Sequence, residues 1–490
     1  MELQFQNTPL RCLRCSASGN ADAEQTLELR IGEDMPPVGR VLGAWGQPLI
    51  RGKEWRGDQV RVNGGIMARA LYEGESGGIY ALEGWMPFQL RWDLKDSRSD
   101  GKMILSCAIR TMDVRQIGAE KLLLRGTVSA NLRAMEREEY SVHTPQNLPE
   151  DLMVKRDSWP VCLPVEAGET GLSLEDEIIL PPGKTEVERI LFYSLTPTIN
   201  DKKVMADKLV FRGTAELRMV YMGADGRPHE YHTELPISQY SELEREYGPE
   251  ARVWVEPMVA DLELERLEDG RVRLKAELMG QYVIWDCVEV CIARDAYSLK
   301  RDVQPIFQQV RLPSLQDVHM EMLPLRQSVE ERADGVVSAT VLCGQPRMQG
   351  GEACVEGMSQ ILYYDGENRA QCVTTPFTEC MSVPDPCEVG LLATGFAEAV
   401  PGGESMTLQS DMALWIMQMQ KDDMSMVSGL TVGEERKVDP DRPSLILRRA
   451  GGMSLWELAK KYCTTEEKIR QANDLTDEPE CGRMLLIPVE

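Results

Sequence analysis

Apolar and polar residues alternate with a period of two through most of this chain. Between 208 and 221, Leu209, Phe211, Ala215, Leu217, Met219 and Tyr221 fall on one side. Lys208, Val210, Arg212, Glu216, Arg218 and Val220 fall on the other. Successive side chains of a strand point to opposite faces, so this pattern predicts a half-buried antiparallel strand. Turn signals punctuate the runs at Asp225-Gly226, Glu268-Asp269-Gly270, Asp365-Gly366 and Pro401-Gly402-Gly403. The period changes only near the C-terminus. There a β-rich start at 445–447 runs into Gly451-Gly452, and Leu455, Leu458, Ala459 and Tyr462 then follow at helical spacing. Thr464 or Thr465 caps a second helix through Ile469, Ala472 and Asn473. Gly482 turns the chain into a closing strand at 484–487, stopped by Pro488. The predicted order there is strand, helix, helix, strand.

The β-rich body repeats itself. Residues 58–72 and 207–221 carry Asp, Gly, Arg and Tyr at matching positions: Asp58 and Asp207, Gly64 and Gly213, Arg69 and Arg218, Tyr72 and Tyr221. Pro87 and Pro236 follow at the same distance. A looser third copy at 353–364 ends Ile-Leu-Tyr-Tyr, with Pro376-Phe377 downstream to match Pro87-Phe88. Gly46-Gln47-Pro48 recurs as Gly344-Gln345-Pro346, and Leu195-Thr196-Pro197 holds the same station in the middle copy. Later in each copy comes a strand pair: 104–114 with 121–132, 253–264 with 271–284, and 389–397 with 406–417.

The expected fold class is mainly β: three tandem antiparallel β-sandwich or barrel-like repeats followed by a small βααβ domain. The boundaries read as an N-terminal segment 1–28, repeats at 29–150, 151–300 and 301–432, a linker 433–443 and the end domain 444–490. The glycine inside each signature strand is expected to mark a bulge. The repeats are expected to be beads with modest interfaces, and the charged, Pro-containing linker to tether the end domain loosely.

At 490 residues several domains are expected. The net charge of −25 disfavours nucleic acid and anionic membrane surfaces as partners. No stretch approaches a membrane-spanning length, and Met-Glu-Leu-Gln-Phe-Gln-Asn is not an export signal, so a cytoplasmic protein is expected. The odd number of cysteines, 13, at irregular spacing reads as reduced thiols. Cys12 and Cys15 form a C-x-x-C pair with no second pair to complete a zinc site and no following helix for a redox motif. His229 and His232 flank Glu230, but three residues apart in a predicted hairpin they point to opposite faces and do not share a metal. No nucleophile elbow or phosphate loop is present. The tryptophans are expected to be packing residues. No catalytic residue, metal or cofactor is therefore expected, and the chain is not expected to be an enzyme.

The C-terminal stretch resembles a LysM domain, the small βααβ module of cell-wall proteins. The residues that carry the likeness are Gly452-Met-Ser-Leu-Trp-Glu-Leu-Ala459, Asn473 with Leu475, and 482–488. LysM turns usually carry Gly-Asp where Gly452-Met453 stand, and Arg448 and Arg449 occupy positions where an apolar residue is common. The resemblance implies a groove for N-acetylglucosamine-containing glycan or a protein partner, formed by Gly451, Gly452, Met453, Ser454, Asn473, Asp474 and Leu475. The order of repeats and end module is similar to the SipL-type spore-coat morphogenetic proteins, which carry tandem SPOCS domains ahead of a LysM domain. That likeness implies a non-enzymatic scaffold on the mother-cell side of the forespore surface, linking the coat basement-layer ATPase to it through the LysM module. A phage-tail or cell-wall-associated peptidoglycan-binding protein, or a wall hydrolase, is the alternative.

Overall fold

The computed structural model describes residues 2–94, 101–146, 148–420, 423–437 and 443–489. It is mainly β, in antiparallel sheets. The first unit has six strands: Gln6–Arg30, Val38–Arg56, Gln59–Gly74, Ile79–Asp93, Lys102–Gly118 and Lys121–Thr144. The sixth lies between the first and fifth, and the third between the second and fourth, giving two three-stranded sheets. The stretch 1–28, set apart on sequence grounds, thus contributes most of the first strand, which pairs with the sixth from Gln6 opposite Thr144 to Arg30 opposite Lys121.

The same pairing order recurs twice. In the second unit Leu152–Ile178, Val272–Ser298 and Arg252–Arg266 form one sheet. One long stretch, Val187–Gly223, serves as second and third strands and pairs with Pro228–Tyr247. In the third unit Leu315–Val329, Ser405–Met419 and Cys387–Thr394 form one sheet, and Gly335–Cys343, Glu352–Tyr364 and Ala370–Ser382 the other. A further small sheet gathers Glu2–Gln4, Met424–Glu435 and Arg301–Val310. Each predicted strand pair is found, with Ser106 opposite Asn131, Glu256 opposite Gln281 and Gly390 opposite Trp415.

The alternation has its expected consequence. Leu209, Phe211, Ala215, Leu217, Met219 and Tyr221 are all buried, most of them in the core between the two sheets of the second unit. Ile66, Tyr72, Met86, Leu105, Leu122 and Leu132 do the same in the first, and Ile361, Tyr363, Leu408 and Leu414 in the third. Each such side chain contributes roughly 1.5–3 kcal/mol by leaving water.

The signature glycines have a cause beyond the one expected. A Cβ on Gly213 would lie 1.8 Å from the Thr198 carbonyl oxygen; on Gly64, 2.4 Å from that of Leu49; on Gly357, 2.1 Å from that of Leu342. In all three units the neighbouring backbone passes where a side chain would be, so the glycine answers a close approach. The expected bulge stands beside it in the first unit, where Ile50 pairs with Gly64 and Gly52 with Asn63, and not along the pairing of Gly213 with Ile237 or of Gly357 with Phe377. The aromatic half of the Pro-Phe pair covers the gap: Phe88 stands opposite Gly64 and Phe377 opposite Gly357.

The units are not beads. They close head to tail into a ring. Trp45 of the first stacks on Phe192 of the second with ring centroids 4.3 Å apart, and Arg69 lies over the ring of Tyr193. Arg218 of the second unit lies over Phe396 of the third and donates to the Ala397 carbonyl. The third unit returns to the first, where Gln360 Nε2 donates to the carbonyls of Ala44 and Met112. The outer strand faces that read as solvated therefore carry joint residues: Leu71, Val220 and Leu362 are buried in one shared cluster with Trp45 and Phe192. The Gly46-Gln47-Pro48 and Leu195-Thr196-Pro197 stations meet at the centre. Gln47 Oε1 accepts from the Leu195 amide, and Gln345 Oε1 from that of Leu391. Segments of all three units enclose a cavity of about 170 Å³ there, lined in part by Gln47, Ile109, Thr196, Glu256, Thr340 and Leu392.

Two cysteine pairs depart from the expected reduced thiols. Cys162–Cys287 and Cys354–Cys380 are disulfides. In each pair the two residues stand directly opposite on adjacent antiparallel strands. Sheet register brings Cys162 and Cys287 together across 125 residues, while Cys354 and Cys380 face each other across consecutive strands. Alkylation of the denatured chain without reductant is expected to label nine thiols; labelling of all 13 would count against both bridges.

Candidate functional site

The C-terminal candidate site is built by four short elements: strand Leu445–Arg449, helix α1 (Leu455–Tyr462), helix α2 (Glu466–Asn473) and strand Met484–Pro488. The two strands pair antiparallel, Leu447 opposite Leu486. Leu455, Leu458, Ala459, Ile469, Leu485 and Ile487 form the core beneath them.

Gly451 and Gly452 are exposed, and Gly452 has φ of 79°, a left-handed value that favours glycine. Met453 is half-buried against the small core. Ser454 is the N-cap of α1. Its side chain accepts from the Glu457 amide, and the Glu457 carboxylate accepts from the Ser454 amide at 2.8 Å, a reciprocal capping box. Asn473 ends α2. Its Nδ2 donates to the Leu486 carbonyl at 2.6 Å and its Oδ1 accepts from the Leu486 amide at 2.7 Å. The side chain therefore acts as an extra strand partner for the closing strand. Asp474 is the left-handed C-cap of α2, with φ of 48°, and Leu475 packs into the same core as Met453.

The two stretches, 451–454 and 473–475, thus meet over one core. A residue that sequence reasoning missed lies between them: the Glu478 carboxylate accepts from the Leu455 amide at 2.9 Å, at the N-terminus of α1. Its position in an acidic, Pro-containing loop gave no signal. Asn473→Ala is expected to cost the end domain about 2 kcal/mol, because the Leu486 amide and carbonyl lose their partner. Thermal unfolding of the full chain followed at Trp456 would show it, and an unchanged midpoint would contradict that role.

The end domain does not hang on a loose tether. Residues 438–442 of the linker lie outside the described residues, but the domain itself packs on the second unit. Trp456 Nε1 donates to Asp295 Oδ2 at 2.8 Å, and Lys460 Nζ reaches both Asp295 oxygens at 2.6 and 2.8 Å. Tyr297 is 2% exposed, meets the Trp456 ring edge-on at 4.9 Å, and donates to the Thr464 carbonyl at 2.7 Å. Burial alone would raise the Asp295 carboxyl, but the bonds from Lys460 and Trp456 and the lysine charge outweigh it and hold the group below its ordinary value. A depressed carboxyl lends stability above its unfolded value and loses it as pH falls through the folded one. Docking is therefore expected to weaken in acid. Asp295→Ala is expected to weaken it by about 2 kcal/mol at neutral pH by leaving Lys460 and Trp456 unpaired. Limited proteolysis should then release the C-terminal fragment sooner while the ring persists; an unchanged digestion rate would refute this docking.

Glu352, Cys354 and Cys380 lie close together, but both cysteines are used in a disulfide. His229 Nε2 is bonded to the Asp225 carboxylate at 2.9 Å, while His232 lies against Phe396 with centroids 4.9 Å apart. Burial pushes the Cys12 thiol up to about 12 and Cys15 to about 11, so neither is a thiolate at neutral pH.

The fold and site define an all-β ring of three like-built units carrying a small strand–helix–helix–strand domain. Residues 186–267, which hold the second to fifth strands of the second unit, match the family described as SipL, SPOCS domain. That match suggests a spore-coat-related role. No curated protein and no solved structure matches the chain. No helix among the described residues is long and apolar enough to cross a membrane.

Proposed function

We propose that the protein is a non-enzymatic scaffold of spore-coat assembly, with the three-unit ring as its body and the C-terminal domain, read as a LysM module, as its adaptor. The observation that carries this is the SPOCS match inside the second unit, in a chain whose first and third units pair their strands in the same order. The partner inferred from the SipL likeness is the coat basement-layer ATPase, met on the mother-cell side of the forespore surface.

Two features of the end domain support a protein partner over a glycan. The Asn473 amide, one of the few polar side chains of the predicted groove, is spent on the closing strand. The outer face of the two-stranded sheet shows Leu445, Leu447, Met484 and Leu486, all at least 37% exposed, an apolar surface of the kind proteins bury against one another. The missing acid at Gly452-Met453 points the same way.

Deleting 444–490 is expected to abolish recruitment of a fluorescent fusion to the forespore while leaving the β circular-dichroism signal. Normal localisation of the truncated chain would overturn the adaptor reading, and release of muropeptides by the intact protein would overturn the non-enzymatic one.

A further inference from the structure

The three joints of the ring are built alike, with one exception. The second residue of each fourth strand faces the next unit: Tyr80 in the first, His229 in the second and Gln371 in the third. At two joints it meets an arginine, the third residue of the next unit's second strand. Arg189 lies over the Tyr80 ring, its guanidinium carbon 4.5 Å from the centroid. Arg40 donates to Gln371 Oε1 at 2.5 Å and to the Ala370 carbonyl at 2.6 Å. At the joint of the second and third units that third residue is Val337.

The valine leaves a gap. A cavity of about 450 Å³ opens there, with Val336, Val337 and Phe396 along one side and Lys184, Arg227, His229 and His232 along the other. Glu230 also lines it, but its carboxylate is taken by Arg218 at 2.6 Å and Ser338 at 2.7 Å. The Tyr364 hydroxyl is buried at the same place with no hydrogen-bond partner. A chain of net charge −25 thus gathers a lysine, an arginine and two imidazoles around one concavity. At neutral pH an unpartnered buried hydroxyl and two cations are best matched by an acceptor with several anionic oxygens. The acid nearest the imidazoles, Asp225, is held by His229 and by the Arg227 amide.

We propose that this cavity is a binding site for a phosphoryl group, held by Lys184, Arg227 and the Tyr364 hydroxyl, with the Val336–Val337 wall receiving whatever the phosphoryl group is attached to. Free phosphate and a phosphate ester share this chemistry and differ only in their use of the apolar wall.

The experiment is calorimetric titration of the full chain with inorganic phosphate and with phenyl phosphate, each against sodium chloride of matched ionic strength. At least one probe should bind saturably. The ester should bind several-fold more tightly than phosphate if the natural ligand is an ester, and equally if it is the free anion. The decisive variant is Val337→Phe, which fills the gap at the joint without adding a cation. It should keep or raise the thermal midpoint and weaken binding at least tenfold. Lys184→Ala, a change at an exposed side chain, should weaken binding several-fold without altering the midpoint. No saturable binding of either probe, or equal affinity in native and Val337→Phe protein, would overturn the proposal.

Discussion

Gly213→Ala is expected to destabilise the second unit by about 3–5 kcal/mol, far beyond the usual effect of adding one methyl group to a strand. The methyl carbon would stand 1.8 Å from the Thr198 carbonyl oxygen and 2.9 Å from the Ile199 Cα. Neither neighbour is the free end of a side chain. Both belong to backbone in the same Val187–Gly223 stretch, so relief requires one sheet edge to move against the other. Gly213 has no left-handed φ, so the loss would come from the clash and not from conformational strain. Gly171→Ala is the matched control: that glycine lies in a strand of the same unit, is exposed, and has nothing within 4 Å of its Cβ position. It should change stability by less than about 0.5 kcal/mol. Urea unfolding of both variants tests the pair, and equal midpoints would refute the close-approach explanation. Gly64 and Gly357 stand in the same relation to their neighbours, so their alanine variants should behave as Gly213→Ala does.

The contrast between what was legible and what was not follows from the range of each interaction. Strand existence is local. Period-two alternation and Asp-Gly turns located the strands of each unit, because burial on one sheet face imposes that period directly. The βααβ order of the last 47 residues was equally local, set by Ser454 and Thr465 as caps and by Gly452 and Gly482 as turns. Ring closure is not local. Val220, Leu362 and Trp45 are ordinary apolar residues on the less regular strand face, and nothing in their neighbours distinguishes a joint from a solvated surface. The same holds for Asp295 and Tyr297, which look like the end of a strand until Trp456 and Thr464 arrive from more than 150 residues away. The Cys162–Cys287 disulfide depends on register between strands far apart in sequence. In the candidate site, the cap of the second helix and the turns were readable, while the Ser454 capping box, the use of Asn473 as a strand partner and the placement of Glu478 required the folded geometry.

The ring centre supplies the second large effect. Glu256 is 2% exposed, lines the central cavity and accepts from Trp254 Nε1 at 3.0 Å. Burial pushes its carboxyl up to about 8, and the Trp254 hydrogen bond and the charges of Lys202 and Arg133 only partly oppose that. Lys202 is itself lowered by burial and sits over the Trp254 ring at 4.0 Å, and Arg133 is shared with Glu388 at 2.7 Å, so neither is free to neutralise Glu256 fully. A carboxyl raised on folding lends stability that is fully present below its unfolded value and is lost as pH rises through the folded one. The ring should therefore weaken between about pH 4.5 and pH 8, by roughly 3–5 kcal/mol at about 1.4 kcal/mol per unit. Glu256→Gln keeps an acceptor for Trp254 and cannot ionise. Its stability should match the native protein at pH 5 to within about 1 kcal/mol and exceed it by most of that loss at pH 8 and above. Urea midpoints measured across this range would show two curves that diverge upward in pH. Parallel curves would mean that Glu256 is charged throughout and that the ring centre is wetter than its burial implies.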